Sequence, residues 1–346
     1  MSHSTVPRRG AKTTTARPPQ IPAPAGGDTG ARKDGPTGKQ SLRLRFRRDR
    51  TLLLMTLPAL VLLLVFNYLP ILGNIVAFQD YDPYISDNGI VSMLHSPWVG
   101  LENFQRIFED SAFWNAVQNT LVLFFLQLVL YFPIPIVLAL VINSVVRPRV
   151  RALSQAILYL PHFFSWVLVI AVFQQLFGGA GILSQLLRQH GYDGLDIMTD
   201  PDTFKFLVTA ESVWKDAGWG IIVFLAALSS VPTDLYEAAA MDGAGRWRRV
   251  WHVTLPALRP VIALLLVLRV GDALTVGFEQ ILLQRDAVGP GASEVLDTFV
   301  WWNGVRNQDF GYAAAAGLIK GVVSLGLVLA ANKAAHLMGE QGVYKK

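Results

Sequence analysis

The sequence contains no cysteine. Disulfides, thiolate metal sites and thiol nucleophiles are thereby excluded, and the redox environment leaves no mark. Charge is scarce too. Asp, Glu, Lys and Arg make up 16% of the 346 residues, against about 25% in soluble domains. No two of the six histidines have metal-site spacing, and alternating strand patterns are missing. With 52% hydrophobic residues, this excludes an ordinary soluble domain and implies a membrane-embedded chain. The net charge of +5 does not indicate nucleic acid. The basic residues gather at the N-terminus and beside apolar runs, where they act as topology signals.

Residues 1–50 differ in composition. TTTARPPQIPAPAGGDTGARKDGPTGK is rich in Pro, Gly, Thr and charge, so a disordered basic cytoplasmic tail is expected. GPTGKQS near its end fails as a phosphate loop, because Lys33 stands where Gly belongs and Gln40 where Ser or Thr belongs. A secretory signal is not expected. The first apolar run starts late, is too long for an h-region and lacks a cleavage site.

A membrane-crossing helix needs about 20 mostly apolar residues. Six spans are predicted: Thr51–Phe78, Phe113–Asn143, Leu153–Phe177, Phe204–Ser230, Leu255–Leu283 and Tyr312–Leu337. Open sheets cannot span lipid, so the expected fold is an all-α polytopic membrane protein. Lys and Arg set its sidedness. Arg43, Arg45, Arg47, Arg48 and Arg50 precede the first span, and Arg147, Arg149 and Arg151 fill the link between the second and third. Arg246, Arg248, Arg249 and Arg259 lie in or beside the link between the fourth and fifth, and Lys345 and Lys346 end the chain. Six spans put all of these on the cytoplasmic side, with both termini. The opposite loops keep Arg106, Arg188, Arg285 and Arg306, with Lys205 at an edge.

YEAAAMDGAGRWRRVWHVTLP, from Tyr236 to Pro256, lies between two spans and is too polar for a lipid core. Pro232 ends the fourth span. Asp234, three residues before Glu237, suggests an acidic capping box and a short helix from Leu235 to about Asp242. Gly243 is placed to end it in a left-handed conformation. Leu235, Ala238, Ala239 and Asp242 share a face, small enough for close approach of another protein. Arg246, Arg248 and Arg249 suit lipid phosphates or partner carboxylates. A second helical stretch, with Trp247 and Trp251, leads to Leu255-Pro256. An ordinary interfacial helix fits the same residues.

Several ionisable residues fall inside predicted spans: Glu211, Lys215, Asp216, Arg269, Asp272, Glu279 and Lys320. Each costs about 2.5–3.5 kcal/mol at a helix centre, so they are expected to face a cavity or one another. Arg269, Asp272 and Glu279 are expected to share one helical face. At ~1.5 Å rise per residue, Lys215 and Lys320 lie ~15 and ~12 Å below the outer ends of their helices. Gly271 and Gly277 permit local unwinding. One reading is a polar translocation cavity in which Trp214 and Trp219 offer ring faces to a sugar. The other is structural pairing of the charges. Lys215, Arg269 and Lys320 would suit an acidic sugar, but the four carboxylates outnumber them, so no substrate charge is read. His162 and His252 are expected to be structural.

The order Glu237-Ala238-Ala239, Gly243, Val253, Leu255-Pro256 resembles the signature loop of ABC importer permeases, with Val253 in place of the usual Ile. Asp242 and Ala244 fit the DGA form found in sugar permeases. TLPALVLLLVFNYLPILGNIVAFQDYDP, WVGLENFQRIF, YLPHFFSWVLV, GFEQ and ANKAAHLMGEQGVY are similar to maltose-type sugar permeases of the multiple-sugar and aldouronate branch. The resemblance runs from Thr51 to the C-terminus. It implies a first span and external loop over 51–112, a permease core over 113–338 with a coupling loop at 232–256, and a cytoplasmic tail at 339–346.

The resemblance also implies that Glu237, Ala238, Ala239, Asp242, Gly243, Leu255 and Pro256 form a coupling element docked on an ABC ATPase dimer. It draws the substrate path from Glu211, Trp214, Lys215, Asp216, Trp219, Arg269, Asp272, Glu279 and Lys320. Other implied partners are a second homologous permease, forming a heterodimer, an extracytoplasmic solute-binding lipoprotein, membrane lipid and a sugar or oligosaccharide. ATP and Mg would sit on the ATPase, with no cofactor or metal in this chain, in a bacterial cytoplasmic membrane. Two other classes stay open. An ion-coupled secondary transporter often shows inverted repeats with matching broken helices, which the sequence does not display. A membrane-embedded enzyme needs a nucleophile with a positioned base, and the spans offer no Ser–His pairing.

Overall fold

The computed structural model describes residues 50–337. The expectations for the N-terminal tail and for residues 339–346 lie outside the described residues. Among those described, the architecture is helical, and the one extended pairing is an isolated antiparallel bridge between Gln79 and Trp98. Six helical stretches are long and apolar enough to cross a membrane: Leu54–Phe78, Ser111–Asn143, Trp166–Gln189, Phe204–Ser229, Arg246–Gly271 and Phe310–Leu337. The all-α polytopic class expected from the sequence is the one observed.

The chain divides into two units, the second beginning at Phe66. The first contributes α1 (Arg50–Leu63), an apolar helix with Pro58 inside it. The second holds α2 (Ser111–Leu126), α3 (Pro133–Asn143), α4 (Pro148–Tyr159), α5 (Trp166–Phe177), α6 (Phe204–Ser229), α7 (Thr233–Met241), α8 (Leu255–Gly271), α9 (Phe278–Val288) and α10 (Phe310–Leu337). A π turn, Gln127–Tyr131, joins α2 to α3. It precedes Pro133, which has no N–H to give an α-helical bond.

The central element is α6. It buries residues from Phe204 to Leu228, among them the charged Glu211 and Lys215. Ile221, Phe224, Leu225 and Leu228 pack with Ala139 and Ile142 of α3 and Leu258 of α8. Gly218 lets α6 meet α4 backbone to backbone, since a Cβ there would run into the Leu158 carbonyl.

Two predicted spans are corrected. The third does not run unbroken from Leu153 to Phe177. Leu160–Phe163 form a 3₁₀ turn, Phe164 and Ser165 are extended, and Ser165 caps α5 by accepting from the Leu168 N–H at 3.4 Å. Hydropathy runs smoothly through this point. Pro161 and the Ser165 cap divide the helix regardless, and the crossing stretch begins at Trp166. The fifth does not continue to Leu283 either. α8 stops at Gly271, Asp272–Gly277 are non-helical, and Gly277 takes φ +56° before α9. Arg269, Asp272 and Glu279 therefore do not share one helical face. The unwinding expected near Gly271 and Gly277 is a complete break. Its apolar residues hold it: Ala273 and Val276 enter one core cluster, Leu274 another.

The short helix after the fourth span is also shifted. α7 starts at Thr233, and its N-cap, Pro232, offers no side-chain bond. The Asp234–Glu237 capping box does not form. Asp234 lies in the first helical turn, where its charge favours the helix dipole.

Replacing Gly218 with Ala should force α4 off α6 and cost about 1–3 kcal/mol, as overpacking does. Gly321→Ala in α10, where a Cβ meets nothing within 4 Å, should be neutral or slightly stabilising. Thermal unfolding of the purified variants in detergent checks both.

Candidate functional sites

Both broken spans are gripped by α6. In the third span's break, the His162 carbonyl has lost its helical partner and accepts from Lys215 Nζ at 2.8 Å. His162 Nδ1 donates to Asp216 Oδ1 at 2.8 Å, and Asp216 lies 3.8 Å from Lys215 Nζ. Trp219 stacks on the His162 ring, centroids 4.5 Å apart and 9° from parallel. The Trp166 ring lies under the Lys215 ammonium, 5.4 Å away.

The fifth span's break is tied one turn earlier along α6. Glu211 is fully buried. Its Oε2 accepts from Gln280 Nε2 at 2.6 Å and Gln284 Nε2 at 2.9 Å, both on α9. Gln280 also donates to the Val208 carbonyl and accepts from Ser212 Oγ. Amides serve Oε2 where no cation reaches the carboxyl among the described residues, and the buried Oε1 has no partner.

Arg269 donates to Gln127 Oε1 in the π turn of span two, and its guanidinium lies 5.7 Å from the Tyr131 ring centre. Its buried Nε has no partner, and no carboxylate pairs with it among the described residues. The Tyr131 hydroxyl is near enough to Asp216 and Arg269 to feel both charges. Asp272 and Thr275 are exposed at the break, and so is Glu279 on α9.

The predicted path residues thus fall into groups. Lys215, Asp216 and Trp219 meet at His162, Arg269 stands beside Tyr131, and Glu211 points into α9. Trp214 packs against Phe173 and Phe164. Lys320 pairs with Asp297, which lines a cavity together with Thr275 of the fifth span's break and Phe278 of α9. Sequence reasoning missed Gln127, Tyr131, Gln280 and Gln284, whose neutrality raises no alarm in an apolar run. It also treated His162 as solitary, although its place after Pro161 marked a break.

The loop after α6 forms a second candidate site. α7 buries no residue. Gly243 closes it at φ +73°. The Ala244 N–H bonds to the Ala239 carbonyl at 2.9 Å and Gly243 N–H to Ala240 at 3.0 Å, the paired bonds of a Schellman motif. The left-handed ending expected from the sequence is therefore present. Tyr236 and Thr254 share a hydroxyl hydrogen bond of 3.2 Å, joining α7 to the entry of the fifth span. Leu255 and Pro256 follow in the first turn of α8.

Residues 131–332 match the family of binding-protein-dependent transport system inner membrane components. The chain belongs to this family. It is 39% identical over 307 residues to the polygalacturonan/rhamnogalacturonan transport system permease protein YteP of Bacillus subtilis (strain 168), covering 88% of this chain and 94% of that one. A solved bacterial alginate ABC transporter, in complex with alginate pentasaccharide-bound periplasmic protein, contains a chain 36% identical with a TM-score of 0.79, over 88% of this chain and 100% of that one. A further structure, of a bacterial ABC transporter involved in import of the acidic polysaccharide alginate, matches at 36% identity and TM-score 0.78, over 86% and 99%. This chain is therefore a multi-pass ABC importer permease. Membership decides among the three classes left open by the sequence.

Lys215→Met in this permease should leave the His162 carbonyl unsatisfied and cost about 1–3 kcal/mol. Asp272→Ala removes an exposed, unpaired carboxylate and should change stability by no more than about 0.5 kcal/mol. Thermal unfolding of the two purified variants separates a clamp from a lining group.

Proposed function

We propose that this chain forms half of a translocation path for a saccharide. The observation that carries the reading is the convergence of two broken spans on α6, which gathers Lys215, Asp216, Trp219 and His162 beside Tyr131 and Arg269. Sugar hydroxyls require dense hydrogen-bonding partners, and indole faces suit sugar rings. Asp272 at the open break is the natural further contact. Glu211 and Lys320 act as fixing groups in this reading, and Trp214 and Glu279 lie at its edge. The sugar class comes from the relatives. One solved neighbour belongs to a transporter of an acidic polysaccharide, and the Arg269 guanidinium, lacking a carboxylate, would meet a uronate carboxyl.

The same reading assigns partners. An extracytoplasmic binding lipoprotein delivers the saccharide, and a second permease supplies the other half of the path. ATP and Mg are held by a separate ATPase dimer. The matched region, 131–332, falls inside the proposed core of 113–338. Arginine asymmetry supports cytoplasmic termini and a cytoplasmic α7 in a bacterial cytoplasmic membrane. There α7 is the coupling helix, with Glu237, Ala238, Ala239 and Asp242 on or beside the contact and Gly243 fixing its end. An exposed helix with small side chains needs a partner to cover it, and the Tyr236–Thr254 bond gives it a route to span five.

Gly243→Val would place a β-branched residue at positive φ, and Ala239→Asp would bury an unpaired charge in the contact. Both should leave membrane insertion intact while weakening ATPase retention and cutting uptake. Co-purification of the ATPase alongside uptake checks this. Normal retention with normal uptake in both variants would remove the coupling role.

A further inference from the structure

From Gly243 to Gly271 the chain carries five arginines and no acidic residue. Arg246, Arg248, Arg249 and Arg259 sit around the entry to the fifth span. None pairs with a carboxylate among the described residues. Among them stand two bare aromatics: Trp247 is 80% exposed and Trp251 65%. They lie in the helical turn Arg246–Arg249 and the π turn Val250–Thr254. Four residues apart, they share a face, and Arg246 and Arg248 flank Trp247 at about 100° on either side.

Indoles left exposed directly before a membrane span favour the boundary between acyl chains and headgroups, and guanidiniums at that depth reach phosphates. We propose that this segment is a binding site for an anionic phospholipid. Trp247 and Trp251 lie against the glycerol and upper acyl region, while Arg246 and Arg248 hold the phosphate, with Arg259 reaching outward from inside the span. Inorganic phosphate would meet the same guanidiniums but leave the indoles uncovered. An acidic protein surface would match the arginines but not a face set at the mouth of a span. The indoles select lipid. The consequence concerns α7. The π turn ends at Thr254, which is bonded to Tyr236, so a lipid held here fixes the depth of α7 relative to the bilayer.

The experiment uses the full-length chain in mild detergent, offered equal amounts of phosphatidylglycerol and phosphatidylcholine, with bound lipid counted by native mass spectrometry. The wild type should retain phosphatidylglycerol selectively. At about fivefold per basic residue, Arg246→Gln with Arg248→Gln should lower that retention about 25-fold and leave phosphatidylcholine unchanged. The corresponding Lys pair should keep most of it, which separates lost charge from lost structure. Trp247→Ala with Trp251→Ala should lower retention of both lipids. Equal phosphatidylglycerol retention by wild type and the Gln pair overturns the proposal. So does displacement of the lipid by millimolar inorganic phosphate, which would make this a phosphate site. If the Gln pair keeps its lipid but loses co-purified ATPase, the arginines face a protein and the lipid site is refuted.

Discussion

The bond from the Lys215 ammonium to the His162 carbonyl, 2.8 Å long, answers the constraint on which the rest of the structure rests. In lipid, a backbone group released from a helix must find a partner inside the protein. Two of the six spans are bounded by non-helical backbone. The break before α5 is closed by Lys215, Asp216 and Trp219. The break after α8 is closed by its own apolar side chains and by Glu211 acting through Gln280 and Gln284. The charged clamps, Glu211, Lys215 and Asp216, all lie on α6, within six residues of one another. That explains why the least apolar of the spans is also the most buried.

The arrangement suggests how motion on the cytoplasmic side would reach the path. α6 leads through Pro232 directly into α7. α7 is bonded through Tyr236 to Thr254, at the entry to the helix that ends in the second break. A displacement of α7 is therefore felt by α6 and α8 together. Since α6 grips both breaks, moving it relative to α8 changes the spacing of Asp216, Tyr131 and Arg269 without unfolding either interrupted span. Under the proposed function, this converts docking of the ATPase into a change of cavity shape.

Much of this was legible in the residues. Length and apolarity gave six crossing stretches, and Gly243 announced its left-handed backbone, because little else ends a short alanine helix so cheaply. Glu211, Lys215 and Asp216 stood out because charge in a span is costly. The breaks were harder. LSQAILYLPHFFSWVLVI is evenly apolar, so hydropathy carried the third span across Pro161, and only the local chemistry of proline and a serine cap divides it. In the fifth span, Gly271 and Gly277 hinted at unwinding, but the extent of the break depends on Ala273, Leu274 and Val276 finding places in two clusters, a tertiary fact. Partners such as Gln127 and Gln280 were invisible for the same reason. A neutral amide in an apolar run gains meaning only from the group facing it.

If the proposed translocation path runs past the exposed Asp272 and Thr275, the break in span five faces water within the membrane. The absence of native cysteine makes a direct measurement clean: single cysteines at Asp272, Thr275 and Val323, probed in assembled importer with a hydrophilic, membrane-impermeant maleimide. Thiols react as thiolates, which form only where water reaches them. Val323, exposed on the apolar surface of α10, reports lipid. The account predicts labelling at positions 272 and 275, reduced by transported saccharide, and none at 323. Failure to label 272 and 275, or equal labelling at all three positions, would contradict it.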